Sequence, residues 1–513
     1  MKSLFVALAL AQTAFAVAAP PVTKLTTLHT FQLTDGSLPL GSLVEGEDGV
    51  FYGVTESGGT RGGGTIYKVS SAGALTTLFN FGQSPDSADG EGPAGRLVRG
   101  ADGAFYGVTR SGGGDGISGQ GVIFRMTPAG ALTVLHSFAG DDGSTQGELT
   151  LASDGNFYGV TESGGVNGGG TIYRMTPTGT FTVLYSFSAD ATEVGTGLSA
   201  LVEGPGMVLY GTSRTGGYTV PDIEGTFFSL APNGDFNVRH RFTLPGWRPT
   251  GVVFGADGAL YGSTASGSGY RMTTDGTFAQ LHHMLGCSCG TPLGGFPAST
   301  FFRRGDGLFY GVTTHGGVHN WGTIYSMSDT GALEPAHSFN GTDEGMAPVA
   351  ALIEGRDGRL YGTTSGFNTS GTVYKLAFLP AAPATLTATS VNVGEVTLAW
   401  AAVRSANSYN VYRGTVSGGL DPTPALTGFA GTSLIVTGLA GGSLQFYAVA
   451  AVNEAGIGPR STEANAMVAA PPPALPPVPP PSSGGGGGGA LDWWLLSTLL
   501  LCAGIRLLAP QPR

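Results

Sequence analysis

The stretch LVEGEDGVFYGVTESGG, Leu43–Gly59, is followed at once by GTIYKVSSAG (64–73) and ALTTLFNF (74–81), and this frame decides the fold. Its Tyr-Gly pair returns at Tyr52, Tyr106, Tyr158, Tyr210, Tyr261, Tyr310 and Tyr361, at steps of 49 to 54 residues. Around the GTIY segment, rings stand at Tyr67, Phe124, Tyr173, Phe228, Tyr270, Tyr325 and Tyr374. An apolar residue follows two places later in every copy, from Val69 to Leu376, with a polar residue between. Alternation of this kind is a strand, because successive side chains point to opposite faces. Asp-Gly, at Asp48, Asp102, Asp154, Asp257, Asp306 and Asp357, supplies the positive φ of a tight hairpin before each Tyr-Gly strand. The fourth copy has Pro205-Gly206 instead. A second turn, such as Ala129-Gly130 or Asn233-Gly234, follows the GTIY strand. Each repeat therefore holds four short strands.

Four-stranded units at this period predict an all-β fold, a seven-bladed β-propeller over residues 22–379. The fourth strands decide how it closes. They fall at 25–31, 75–81, 132–138, 181–187, 236–242, 278–284 and 333–339, so the first precedes the first repeat and the seventh repeat lacks one. Residues 25–31 are expected to complete the last sheet and hide the edges of an open array.

Composition agrees. Among 513 residues, 89 are glycine, 41% are hydrophobic and only 12% are charged, which suits many short strands joined by tight turns. A net charge of −11 argues against a nucleic-acid partner. Three cysteines are too few for a disulfide scaffold, although Cys287 and Cys289 are close enough in GCSCG for a local disulfide.

The ends read as addresses. Lys2, the apolar run from Leu4 and small residues at Ala16 and Ala18 predict a secretory signal over 1–18. Residues 469–489, AAPPPALPPVPPPSSGGGGGG, make a spacer, stiff where proline-rich and floppy where glycine-rich. In the tail, 490–513, the unbroken run Trp493–Ile505 is 13 residues, shorter than the roughly 20 a spanning helix needs.

The repeat, carried by LYG or FYG, then GG, then GT-[IVF]-[YF] over about residues 25–378, resembles the GloVer tandem repeat of bacterial "choice-of-anchor" surface proteins. The resemblance implies surface display and no reaction. Residues 381–468 resemble a fibronectin type III domain through VTLAW ending at Trp400, SYNVYRG, and FYAVAAVNEAGIGPRS from Phe446. Trp400 is expected in the sandwich core, and Gln445 stands where that family places its corner tyrosine. Gly484–Gly489 and the tail resemble a GlyGly-type C-terminal sorting signal, without its arginine cluster: Arg506 and Arg513 stand apart. These resemblances imply a secreted protein anchored at, or released from, a Gram-negative cell surface, the tail providing outer-membrane or surface anchoring.

Candidate chemistry sits in the loops. The connections between repeats carry Asp35, Asp86, Asp89, Asp141, Asp142, Asp190, Asp343 and Glu344, on the face that also bears the long glycine-rich loops such as HGGVHNWG. Binding is expected there, at Asp142, Asp343, His315, His319 and Trp321. Calcium is a possible ion for such carboxylates, though no run matches a calcium loop; no other cofactor is expected. His315 and His319 are four apart, a metal spacing on a helix but not in a loop between strands. Six further histidines, His29, His136, His240, His282, His283 and His337, recur in the fourth strand and read as packing. No GxSxG elbow, P-loop or HExxH is present. A binding or adhesion module for an extracellular glycan or surface protein, without catalysis, is the expected function. The alternatives are a carbohydrate-active enzyme or accessory protein and a purely structural envelope protein.

Overall fold

Strand alternation and turn chemistry repeat seven times, and the chain folds accordingly into many small four-stranded antiparallel sheets. The computed structural model describes residues 22–82, 87–114, 119–145, 147–190, 194–216, 223–243, 248–283, 295–366 and 370–474. Residues 1–21, where a secretory signal is expected, Asp86, Cys287, Cys289, Cys502 and the glycine tail lie outside them. Among the described residues no helix is long and apolar enough to cross a membrane.

The first sheet pairs Val44–Glu45, Phe51–Thr55, Thr65–Val69 and Leu75–Asn80 in chain order, and later repeats follow suit. In two sheets the first strand is split. Ser144–Thr145 and Thr150–Leu151 both pair with Phe157–Ser163, and Gly295–Pro297 and Phe302–Arg303 both pair with Phe309–His315. The seventh sheet takes its fourth strand from the other end of the chain: Thr23–Thr30 runs antiparallel to Thr372–Phe378, with Leu25 opposite Leu376. In the fourth repeat, Pro205–Met207 forms a 3-10 turn with Gly206 at φ 72° in place of Asp-Gly.

The Tyr-Gly pair has two physical reasons. Its tyrosine donates a hydrogen bond to the turn aspartate in six repeats, as from Tyr158 Oη to Asp154 at 2.9 Å and Tyr361 Oη to Asp357 at 2.6 Å. Its glycine lies beneath the ring of the GTIY strand. A methyl group on Gly53 would meet Tyr67 Oη at 2.5 Å, and one on Gly107 would meet Phe124 Cζ at 2.5 Å. The paired register, Gly53 opposite Tyr67, brings them together.

Neighbouring repeats stack through the same motif. Tyr52 lies on Phe105 (4.2 Å between ring centroids), Tyr106 on Phe157 (4.1 Å) and Tyr261 on Phe309 (4.4 Å). The GT glycine receives a proline of the next repeat: a methyl on Gly64 would meet Pro93, on Gly225 Pro249 and on Gly322 Pro348, each at 2.7 Å. On Gly371 in the last repeat it would meet Pro39 in the first at 2.5 Å.

Beyond Pro380, two sheets share one core. Thr387–Thr389, Val396–Ala399 and Ser433–Val436 form one, and Ser408–Gly414, Leu426–Phe429, Leu444–Asn453, Gly456–Arg460 and Ala464–Met467 the other. Trp400, Tyr409, Val411, Tyr447 and Val449 are buried between them. Gln445 is buried too, accepting a hydrogen bond from Arg413 Nε at 2.8 Å. This sandwich docks on the tight-turn end of the last repeats. Arg359, itself buried, donates to Glu454 (2.5 and 2.6 Å) and to Asn407 (2.8 Å). Arg404 donates to the carbonyls of Gly355 and Arg356 (2.6 and 2.7 Å).

Candidate functional site

The opposite end of the sheets carries the connections between repeats and the long loops, held together by main-chain bonds. Ser37 and Ser57 exchange N–H···O bonds at 2.7 and 3.1 Å, and Gly113 donates to Ser87 at 2.8 Å. Here the Tyr-Gly strands end on one recurring position: Glu56, Arg110, Glu162, Arg214, Ala265, Thr314 and Ser365. The first strands present a second, the residue before a proline at Leu38, Gly92, Arg248, Phe296 and Ala347. All five have positive φ: 56°, 62°, 59°, 53° and 54°. For a side-chain-bearing residue that region costs about 1–2 kcal/mol, so the frame imposes this kink whatever the side chain. It is held by main-chain bonds such as Ala265 N–H to the Arg248 carbonyl (2.8 Å) and Ser365 N–H to that of Ala347 (3.1 Å).

A cavity of about 680 Å³ opens on this end. Leu40 from the first repeat, Arg214 from the fourth, Arg248 from the fifth, Phe296 and Thr314 from the sixth and Val349 from the seventh all line it. Two guanidinium groups and, among the described residues, no carboxylate reach the lining, in a chain of net charge −11. Phe296 is 45% exposed. Arg110, at the register of Arg214, donates to Glu56 at 2.9 Å. The same Glu/Arg pattern recurs at Glu162 and Arg214, yet Glu162 accepts from the Gly197 N–H (3.1 Å). Among the described residues the Arg214 side chain makes no ion pair.

The residues singled out from sequence are dispersed. Asp142 lies in a 3-10 turn with its Oδ2 3.0 Å from His136 Nε2, and its carbonyl accepts from Thr171 Oγ1 at 3.1 Å. The same stitch joins His29 to Asp35 (3.0 Å) and His337 to Glu344 (3.1 Å). Asp343 is tied to Asn340 and Thr342 (2.7 and 2.9 Å), which hold its carboxyl below the ordinary aspartate range, and its carbonyl accepts from Thr27. Both aspartates thus secure junctions between repeats and neither lines the cavity. Trp321, 39% exposed, lies over Gly341, and His319 is exposed beside it. His315 stands nearer the cavity, edge-on to Phe296 with ring centroids 6.1 Å apart, its Nδ1 2.8 Å from Thr314 Oγ1. Among the described residues no three His, Cys, Asp or Glu side chains gather where a metal ion would sit. Arg214, Arg248 and Phe296 are not conspicuous in the sequence. Aligning the repeats and reading the columns that change character within a constant frame would have found them.

The family model described as the Gloeobacter/Verrucomicrobia repeat matches residues 13–220 and again 199–421. The chain belongs to that repeat family. In this repeat protein the second match runs past the seventh sheet into the C-terminal sandwich. Parts of the chain are matched by solved Fn3-like structures. An Fn3-like protein from Clostridium thermocellum is 37% identical over 17% of this chain and 93% of its own, with a TM-score of 0.17. The structure called FN3tt is 20% identical over 18% of this chain and 98% of its own, with a TM-score of 0.17. A putative oxidoreductase (glucose dehydrogenase) from Thermus thermophilus is 14% identical over 69% of this chain and 100% of its own, with a TM-score of 0.39. No curated protein matches the sequence.

Proposed function

We propose that the seven repeat sheets are blades of one closed seven-bladed β-propeller, secreted and displayed at the cell surface as a binding module whose ligand enters at the loop-bearing face. One observation carries this reading. A single cavity draws its lining from the first, fourth, fifth, sixth and seventh repeats, which is how a central channel mouth is built. An exposed aromatic at its rim, with no carboxylate in the lining among the described residues, suits binding better than glycoside cleavage, which requires a pair of acids. The fibronectin-type sandwich takes the opposite, tight-turn face and leaves the loops open to solvent. Beyond it, a proline-rich spacer at about 3 Å per residue would carry the propeller tens of ångströms from its anchor.

A glycan array probed with the secreted full-length chain, beside a screen for sugar release, tests the proposal. Glycan binding lost on Phe296→Ala is expected. Sugar release abolished by substitution of one acid would overturn it.

A further inference from the structure

We infer that the channel-mouth cavity takes an acidic saccharide, a uronic-acid residue whose carboxylate sits on Arg214 and whose ring face lies against Phe296. This deepens, and rests on, the reading of the loop face as the binding face.

Three observations converge. First, Arg214 and Arg110 occupy one register but differ in their partners. Arg110 is neutralised by Glu56, whereas Arg214 lines the cavity without an ion pair among the described residues. A guanidinium presents a planar fork that matches a carboxylate, and among the described residues no carboxylate lines this cavity to occupy it. Arg248 adds a second guanidinium to the same rim. Arg214 thus offers an anion a local positive charge in a chain of net charge −11.

Second, Phe296 is held half-exposed by a backbone kink that the frame imposes, ahead of Pro297. The ring is thus presented rather than merely uncovered, and an aromatic face on an apolar floor of Leu40, Pro297, Ala298 and Val349 fits the C–H face of a sugar. Third, Ser266 and Thr314 place hydroxyl groups among the lining, and the cavity volume falls within the range of roughly 300–1,000 Å³ usual for small-ligand sites. A nucleic acid would demand many cations along a groove, and the acidic surface opposes it.

Isothermal titration of the full-length chain with trigalacturonate, its methyl ester and a sulfated trisaccharide tests the inference. The acid is expected to bind, and the ester to bind about tenfold or more weakly, as loss of a charge-assisted contact requires. Arg214→Gln should weaken the acid by about the same factor with an unchanged unfolding midpoint, while Arg110→Gln binds as the parent does. Equal binding of acid and ester, preference for the sulfated sugar, or indifference to Arg214→Gln would overturn the inference. If neutral glycans then bind and Phe296→Ala abolishes that binding, the loop-face reading survives without the anionic ligand. If no saccharide binding responds to Phe296→Ala, both fall.

Discussion

Phe51 lies stacked on Tyr361, ring centroids 3.9 Å apart and planes at 26°, although the two residues belong to the first and last repeats. The contact is the one that Phe105 makes with Tyr52 and Phe157 with Tyr106 between consecutive repeats. If the sheets form one ring, the junction where the chain ends meet is worth as much as any other. Phe51→Ala should then cost about 3–5 kcal/mol, the usual loss for a fully buried phenylalanine, and Phe105→Ala should cost the same. Urea unfolding of both variants reads this directly. A Phe51 variant markedly milder than its Phe105 counterpart would show an open end.

The Tyr-Gly glycine and the turn glycine should fail for different reasons. Gly49 has φ 72° and open space where a methyl would stand, so Gly49→Ala meets only the left-handed penalty of about 1 kcal/mol. Gly53 has no positive φ but sits under Tyr67, so Gly53→Ala drives a methyl into a buried ring and should cost about 1–3 kcal/mol. Comparison of their urea midpoints separates the two, and a Gly53 variant no worse than Gly49→Ala would remove the close-approach explanation.

This bears on what the sequence discloses. Period-two alternation, Asp-Gly turns and the displaced count of fourth strands are local or countable features, so the sheets and the pairing of Thr23–Thr30 with Thr372–Phe378 were legible. The cavity was not. Its rim is made by columns, such as Glu56–Arg110–Glu162–Arg214, whose members look like ordinary loop charges until geometry shows which ones are paired. Asp142 attracted attention because acids recur at the junctions. The recurrence belongs to the frame, where each stitch joins a fourth-strand histidine to the start of the next repeat.

Two tyrosines distinguish a useful hydroxyl from a stranded one. Tyr374 Oη is buried with no hydrogen-bond partner among the described residues, and burial pushes its ionisation far up. Phe124 and Phe228 fill the same register without that group. Tyr374→Phe should therefore be neutral or stabilise the fold by up to about 1 kcal/mol. Tyr361→Phe, which deprives Asp357 of a donor at 2.6 Å, should cost about 1 kcal/mol. Thermal melts of the two variants should move in opposite directions or, at the least, differ by that amount.

Asp142 supplies a direct contrast between scaffold and site. Asp142→Ala breaks the bond to His136 and should lower stability by about 1 kcal/mol while leaving glycan affinity intact. Arg214→Gln should do the reverse. Parallel denaturation and binding measurements decide, and loss of affinity in the Asp142 variant would return that residue to the binding site.

The docked sandwich should make stability depend on acid. The Arg359 hydrogen bonds lower the Glu454 carboxyl from the ordinary glutamate range to about 2, against the opposing effect of burial. Because the folded-state value is the depressed one, the stabilisation is fully present above the unfolded glutamate value, near pH 4.3, and is lost as pH falls toward 2. It amounts to about 2–3 kcal/mol, to order of magnitude. Glu454→Gln lacks the ionising group but keeps the shape, and Arg359 keeps its contacts with Asn407 and Asp357. At pH 6 the parent should exceed the variant in urea stability by about that amount. The two curves should converge as the pH is lowered to about 2, where the parent carboxyl is half protonated and most of the difference has been lost. A gap that stays constant across this range would mean that the latch contributes through packing and not through its charge.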